Sequence, residues 1–155
     1  MATDLREELR QRKPFGSLQH EAYLSVIRTA ARLADEFEQM LKPYGLSGAQ
    51  YNVLRILRGA EQDGLCRNEI RDRMVTRMSD MTRLLDRMED SGLVARTRGS
   101  EDRRLVTTRL TELGRELLAE LDPVVAEEHE RRFQNLREDQ LRMLITALAA
   151  VRQNP

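Results

Sequence analysis

Five arginines, Arg96, Arg98, Arg103, Arg104 and Arg109, fall within the 23 residues GLVARTRGSEDRRLVTTRLTELG, Gly92 to Gly114, against three acids. A guanidinium stays charged at any working pH, and its planar fork of donors matches a phosphate or the edge of a guanine. It is a poor acid, base or nucleophile, so such a cluster binds anions rather than breaking bonds. Apolar and β-branched residues accompany the arginines on both sides of Gly99-Ser100-Glu101-Asp102, the pattern of two strands and a turn. Asp102 stands two residues before Arg104. Its carboxylate can hold that guanidinium in one pose, which lowers the entropy lost on binding.

Other chemistries have less to draw on. There is no Gly-rich phosphate loop, no nucleophile elbow and no metal-ligand cluster, so neither an enzyme nor a cofactor or metal site is expected. One cysteine and two histidines exclude an internal disulfide and a Cys/His structural metal site, and fit a reducing cytoplasm. Cys66 falls at the start of a predicted helix, where it is either a small capping residue or a redox-sensing thiol. His20, Tyr23, Tyr44 and Tyr51 are polar-tipped residues where a small effector could be held, although each also suits a core or interface position. His129 falls on an acidic stretch and is expected to be solvated.

The chain has 155 residues, enough for one domain, with 34% charged residues, 4% aromatics and zero net charge. The charge is unevenly spread. Cys66 to Arg109 holds eleven arginines against eight acids, net +3; Leu110 to Glu130 holds one arginine against seven acids, net −6. No stretch is apolar and long enough to span a bilayer, and the first residues lack the apolar core of a secretory signal, so a cytoplasmic protein is expected.

The elements that must position the arginines are mostly helical. After a charged arm, Pro14 and Gly16 break the chain, and Ser17 opens a long amphipathic helix ending before Pro43. Ser47 with Gln50 forms a capping box for a second helix through about Arg58. A short third helix spans Cys66 to Met74, with Glu69 completing its cap. Thr76 is the expected N-cap of a fourth helix to residue 90, whose apolar stripe is Met78, Met81, Leu84, Leu85 and Met88. Gly92 ends it in the left-handed conformation. Thr111 opens a further helix, bent or interrupted at Asp122-Pro123, and a last one runs near Glu138 to Arg152.

Two short helices joined by a tight turn and followed by a hairpin form a winged helix-turn-helix pattern. The predicted class is mainly α with a small β-hairpin wing, its core flanked by N- and C-terminal dimerisation helices. A fourth helix of roughly sixteen residues is about 24 Å long and fits the DNA major groove. Its polar face carries Arg77, Ser79, Asp80, Thr82, Arg83, Asp86 and Arg87. The turn around Arg103 and Arg104 can reach the neighbouring minor groove, whose negative potential suits arginine.

The segment TRLLDRMEDSGLVARTRGSEDRRLVTTRLTELG, Thr82 to Gly114, resembles the recognition helix and wing of MarR-type transcriptional regulators. The wing signature stands as Asp102-Arg103-Arg104, a strand, then Leu110-Thr111-Glu112-Leu113-Gly114. LSGAQYNVLRIL resembles the family's second helix, and the likeness runs from Ser17 over nearly the whole chain. One departure is RMVTRMSDM, Met-rich where many relatives have a small-residue turn. The resemblance implies a homodimer with interlocked terminal helices, binding a pseudo-palindromic operator in double-stranded DNA. It further implies a repressor, often released by an aromatic or phenolic ligand or by an oxidant. It gives Asp102 and Arg104 the wing roles, and sets Arg77, Ser79, Thr82, Arg83 and Arg87 on the recognition helix.

The expected organisation is an arm over 1–16, a helical dimerisation region over 17–45 and 115–155, and a DNA-binding region over 46–114. Independently of the resemblance, the end helices carry apolar stripes broader than a small winged unit can cover, which points to self-association. The competing reading is a helical protein-interaction module without DNA binding.

Overall fold

The computed structural model describes residues 4–60, 63–99 and 105–153. Its elements are α1 (Leu5–Glu8), α2 (Leu18–Leu41), a 3-10 turn (Lys42–Tyr44), α3 (Gly48–Gly59), β1 (Leu65–Cys66), α4 (Arg67–Arg73), α5 (Met81–Asp90), β2 (Val94–Arg98), β3 (Val106–Leu110), α6 (Glu112–Phe133) and α7 (Glu138–Gln153). The helix starts follow side-chain caps. Ser17 accepts from the His20 N–H, and Ser47 and Gln50 exchange hydrogen bonds at the start of α3. Glu69 accepts from the Cys66 N–H at 2.8 Å, and Thr111 accepts from the Gly114 N–H.

The core gathers Val53, Leu54 and Leu57 of α3, Ile70 of α4, the buried face of α5, and Leu118 and Leu121 of α6. Val94 and Leu110 close it from the sheet, and Leu41 from the end of α2. The sheet has three antiparallel strands in the order β1-β3-β2; Leu65 faces Thr108 across one pair and Val94 faces Leu110 across the other. Periodicity predicts the hairpin but not β1, because two residues carry no alternation to read. Gly64 makes that pairing possible. Its φ is +71°, and a Cβ there would stand 2.6 Å from the Thr108 carbonyl oxygen.

Pro123 lies inside a continuous α6 and does not interrupt it. The flanking turns are anchored: Leu121 and Val125 are buried, and Asp122 accepts two hydrogen bonds from Arg58 at 2.8 and 2.9 Å. That pairing joins α3 to α6 and holds the Asp122 carboxyl below the usual carboxylate range. At the far end of α6, Arg132 bridges Glu128 and Glu36 and so ties α6 to α2.

The Leu110-Thr111-x-x-Gly114 motif is the seam between sheet and α6. The Thr111 hydroxyl donates toward the Gly92 and Leu93 carbonyls at 2.6 and 3.0 Å while it caps α6. Gly114 is buried because the Leu93 carbonyl oxygen occupies the space of a side chain: a Cβ would stand 2.4 Å from it.

Candidate nucleic-acid interface

Helix α5 is held by its apolar face. Met81, Leu84, Leu85 and Met88 are all buried, so Thr82, Arg83 and Arg87 are turned to solvent. The helix has ten residues, about 15 Å, rather than the longer span expected from Thr76. Its N-cap is Asp80, whose carboxylate accepts from the Arg83 N–H at 3.0 Å. Between the two helices the chain is not helical: α4 ends in an extended Met74, the Val75 N–H donates to the Asn52 side chain of α3 at 2.8 Å, and α5 begins only at Met81. Arg77 and Ser79 therefore lie in the connecting segment before α5, both exposed, and not on the helix.

Three of the acids around this surface are engaged. Asp80 is spent on the cap. Asp86 and Glu89 both reach Arg96 on β2, each 2.6 Å from its Nη2. Glu89 further accepts from Arg96 Nε at 2.8 Å and from its backbone N–H at 3.1 Å. Hydrogen bonds from Arg96 hold the Glu89 carboxyl below the ordinary range. Among the described residues, no hydrogen bond or ion pair holds the side chains of Arg77, Arg83 or Arg87.

Two residues here were not singled out as contacts by sequence reasoning. Arg67, at the start of α4, donates to the Thr82 hydroxyl at 3.0 Å and adds an exposed cation beside α5. Arg96 is half-buried between helix and sheet. Neither had a periodic signal; the folding of α4 and β2 against α5 creates both positions.

The wing strands pair from Val94↔Leu110 to Arg98↔Val106, and the Gly99 N–H donates to the Leu105 carbonyl at 2.8 Å. Arg98 is exposed on β2, while Arg109 donates to the Thr97 hydroxyl at 2.9 Å across the pair. Asp102, Arg103 and Arg104 lie outside the described residues.

Of the polar-tipped residues of the effector expectation, Tyr51 alone lines the hollow between α3 and α6. Tyr51 is buried, edge-on to Phe37, which stacks on an exposed His129. Tyr51, Arg55, Asp122 and His129 line an open hollow of about 520 Å³ between α3 and α6, a lining that includes none of His20, Tyr23 or Tyr44. Tyr23 is 65% exposed on α2, His20 meets the edge of Phe15, and Tyr44 is half-buried in the 3-10 turn. Cys66 is half-buried, at the junction of β1 and α4. Among the described residues no cluster of His, Cys, Asp or Glu could hold a metal ion, and no helix is long and apolar enough to cross a membrane.

Two short helices, α4 and α5, followed by a hairpin that packs back on them define a winged helix-turn-helix protein. The chain belongs to the MarR family. The family model described as MarR family matches residues 44–105. A MarR transcription factor from Planctomyces limnophilus is 41% identical, with a TM-score of 0.69 over 88% of this chain and 99% of that one. The transcriptional repressor IacR of Pseudomonas putida is 29% identical over 82% of this chain and 75% of its own length. The S. aureus MepR–DNA complex shares the fold at 22% identity, with a TM-score of 0.74 over 84% of this chain and 94% of that one. Some other curated transcriptional regulators are matched over only 53% of their length.

Proposed function

We propose that the protein is a cytoplasmic transcriptional regulator that binds a pseudo-palindromic site in double-stranded DNA as a homodimer. The observation that carries this reading is the α5 surface. Thr82, Arg83 and Arg87 face outward from a helix locked by its buried side, with Arg67 bonded to Thr82, Arg77 in the segment just before the helix, and Asp86 and Glu89 both paired with Arg96. Arginine forks and a threonine hydroxyl suit base edges and phosphates in a major groove. The wing residues Asp102, Arg103 and Arg104 are assigned the adjacent minor groove. MepR has been seen in complex with DNA and IacR is named a repressor, which favours the same role for this relative.

Dimerisation is favoured by apolar side chains that this single chain leaves in water. Leu18, Tyr23, Val26 and Ile27 of α2 and Met143, Ile145 and Val151 of α7 are all exposed, and α7 has no buried residue. Two-fold pairing of these helices over 17–45 and 115–155 would place two winged units, 46–114, about one DNA turn apart. Release by a small aromatic or phenolic ligand completes the proposal. The test is protection of the DNA upstream of the coding region, with and without such ligands. Arg87→Ala and Arg104→Ala should each weaken binding, and each lost phosphate contact should flatten the salt dependence by about one unit. A wild-type protein showing no preference for that DNA over random duplex would favour the interaction-module reading instead.

A further inference from the structure

The wing and α5 are joined by one side chain. Arg96 leaves β2, lies half-buried against the second half of α5, and bridges two carboxylates one helical turn apart, Asp86 and Glu89. Glu89 answers with both oxygens, one on the guanidinium and one on the Arg96 backbone N–H. The strand is therefore fixed in height and rotation relative to the helix, since a fork held at two points cannot pivot as a single ion pair can. Asp86 is adjacent in sequence to Arg87, and Glu89 lies two residues beyond it, so the same bridge directs two carboxylates toward Arg96 beside the exposed face of α5.

We propose that Arg96 is a positioning residue that sets α5 and the wing in one fixed register for reading DNA, and not a residue that itself contacts DNA. This rests on the DNA-binding role proposed above. The register matters because a helix in one groove and a hairpin in the next must be correctly placed together, or the second contact is lost when the first forms. Bridge and contact also differ in what they predict. A residue contacting phosphate would lower affinity for specific and random duplex alike, through lost charge alone. A positioning residue lowers the preference for the specific site.

The experiment compares wild type, Arg96→Met, Arg96→Lys and the triple variant Arg96→Met/Asp86→Asn/Glu89→Gln. Each is titrated against the protected upstream duplex and a random duplex, with thermal unfolding run alongside. Arg96→Met should lose on the order of tenfold in the ratio of specific to random binding, the scale of one forfeited base contact. Arg96→Lys, which can reach one carboxylate at a time, should recover part of it. The triple variant has one more net positive charge than wild type, since one cation and two anions are removed. It should regain random-duplex affinity while its specific-to-random ratio stays low.

Restoration of the ratio in the triple variant would show that Arg96 only screens charge, and would overturn the proposal. So would an unchanged ratio in Arg96→Met. If Arg96→Met fails to unfold cooperatively, Glu89→Gln, which weakens the bridge and leaves the arginine, provides the same comparison. A wild type with no preference between the duplexes would overturn the DNA-binding reading itself, an outcome separate from the variants' behaviour.

Discussion

Replacing Gly114 with alanine places a methyl group where the structure has a carbonyl. The added Cβ would stand 2.4 Å from the Leu93 oxygen and 2.8 Å from Leu110 Cδ1. The leucine tip can turn aside; the Leu93 carbonyl cannot. It accepts from the Thr111 N–H at 3.2 Å and from the Thr111 hydroxyl, so moving it disturbs the N-cap of α6 and the close of the β2–β3 pair together. Overpacking of this kind costs about 1–3 kcal/mol, and weakening the threonine cap adds roughly 1 kcal/mol. Against that, alanine is the better helix former by up to about 1 kcal/mol. The balance is a net loss of about 1–3 kcal/mol, from the terms just given. Urea denaturation at fixed protomer concentration measures it, the concentration being held because self-association would raise the midpoint. A midpoint equal to or above that of wild type would refute the reasoning, since it would mean that helix propensity outweighs the clash.

Two further outcomes follow from the packing and the ion pairs. Met88→Ala empties a fully buried site beneath α5 and should cost about 2–5 kcal/mol in denaturant unfolding, a much smaller loss indicating that α5 is not held by its apolar face. Asp122 has its folded pKa lowered by Arg58, so its contribution is present at neutral pH and is lost as pH falls below the ordinary aspartate value through the folded one. Because the Asp122 and Arg58 side chains are 43% and 36% exposed, solvent screening limits that contribution to about 1 kcal/mol or less. The stability gap between wild type and Asp122→Asn should therefore shrink on acidification; a gap independent of pH would show that the pair contributes nothing.

Much of the architecture was legible because its signals are local. Ser17, Ser47 and Thr111 each cap the helix expected to begin after them, since a short polar side chain satisfies an N–H within its own turn whatever lies further away. Gly92, at φ +75°, marks the end of α5 for an equally local reason. The start of α5 was misread because Thr76, Ser79 and Asp80 are all acceptable caps. In the folded chain Asp80 takes the role, accepting from the Arg83 N–H, while the segment before it is held to α3 by the Val75 N–H donating to Asn52. Of the two outcomes expected at Pro123, a bend or an interruption, the interruption does not occur: a missing N–H is tolerated where the helix is pinned on both sides of it by burial and by Arg58.

The candidate site divides in the same way. That arginines gather on one short helix and the hairpin after it is a property of the order of residues, and no fold was needed to see it. Which of them stand free and which are tied down is not, because Arg96 and Asp86 resemble their exposed neighbours until β2 lies against α5. The sequence by itself determined the helices, the hairpin and their order, because caps and periodicity act over a few residues. Only the tertiary structure decided that Arg96 is a brace, that Arg67 joins Thr82, and that Gly114 must be glycine, because each depends on atoms that meet only after distant segments have packed.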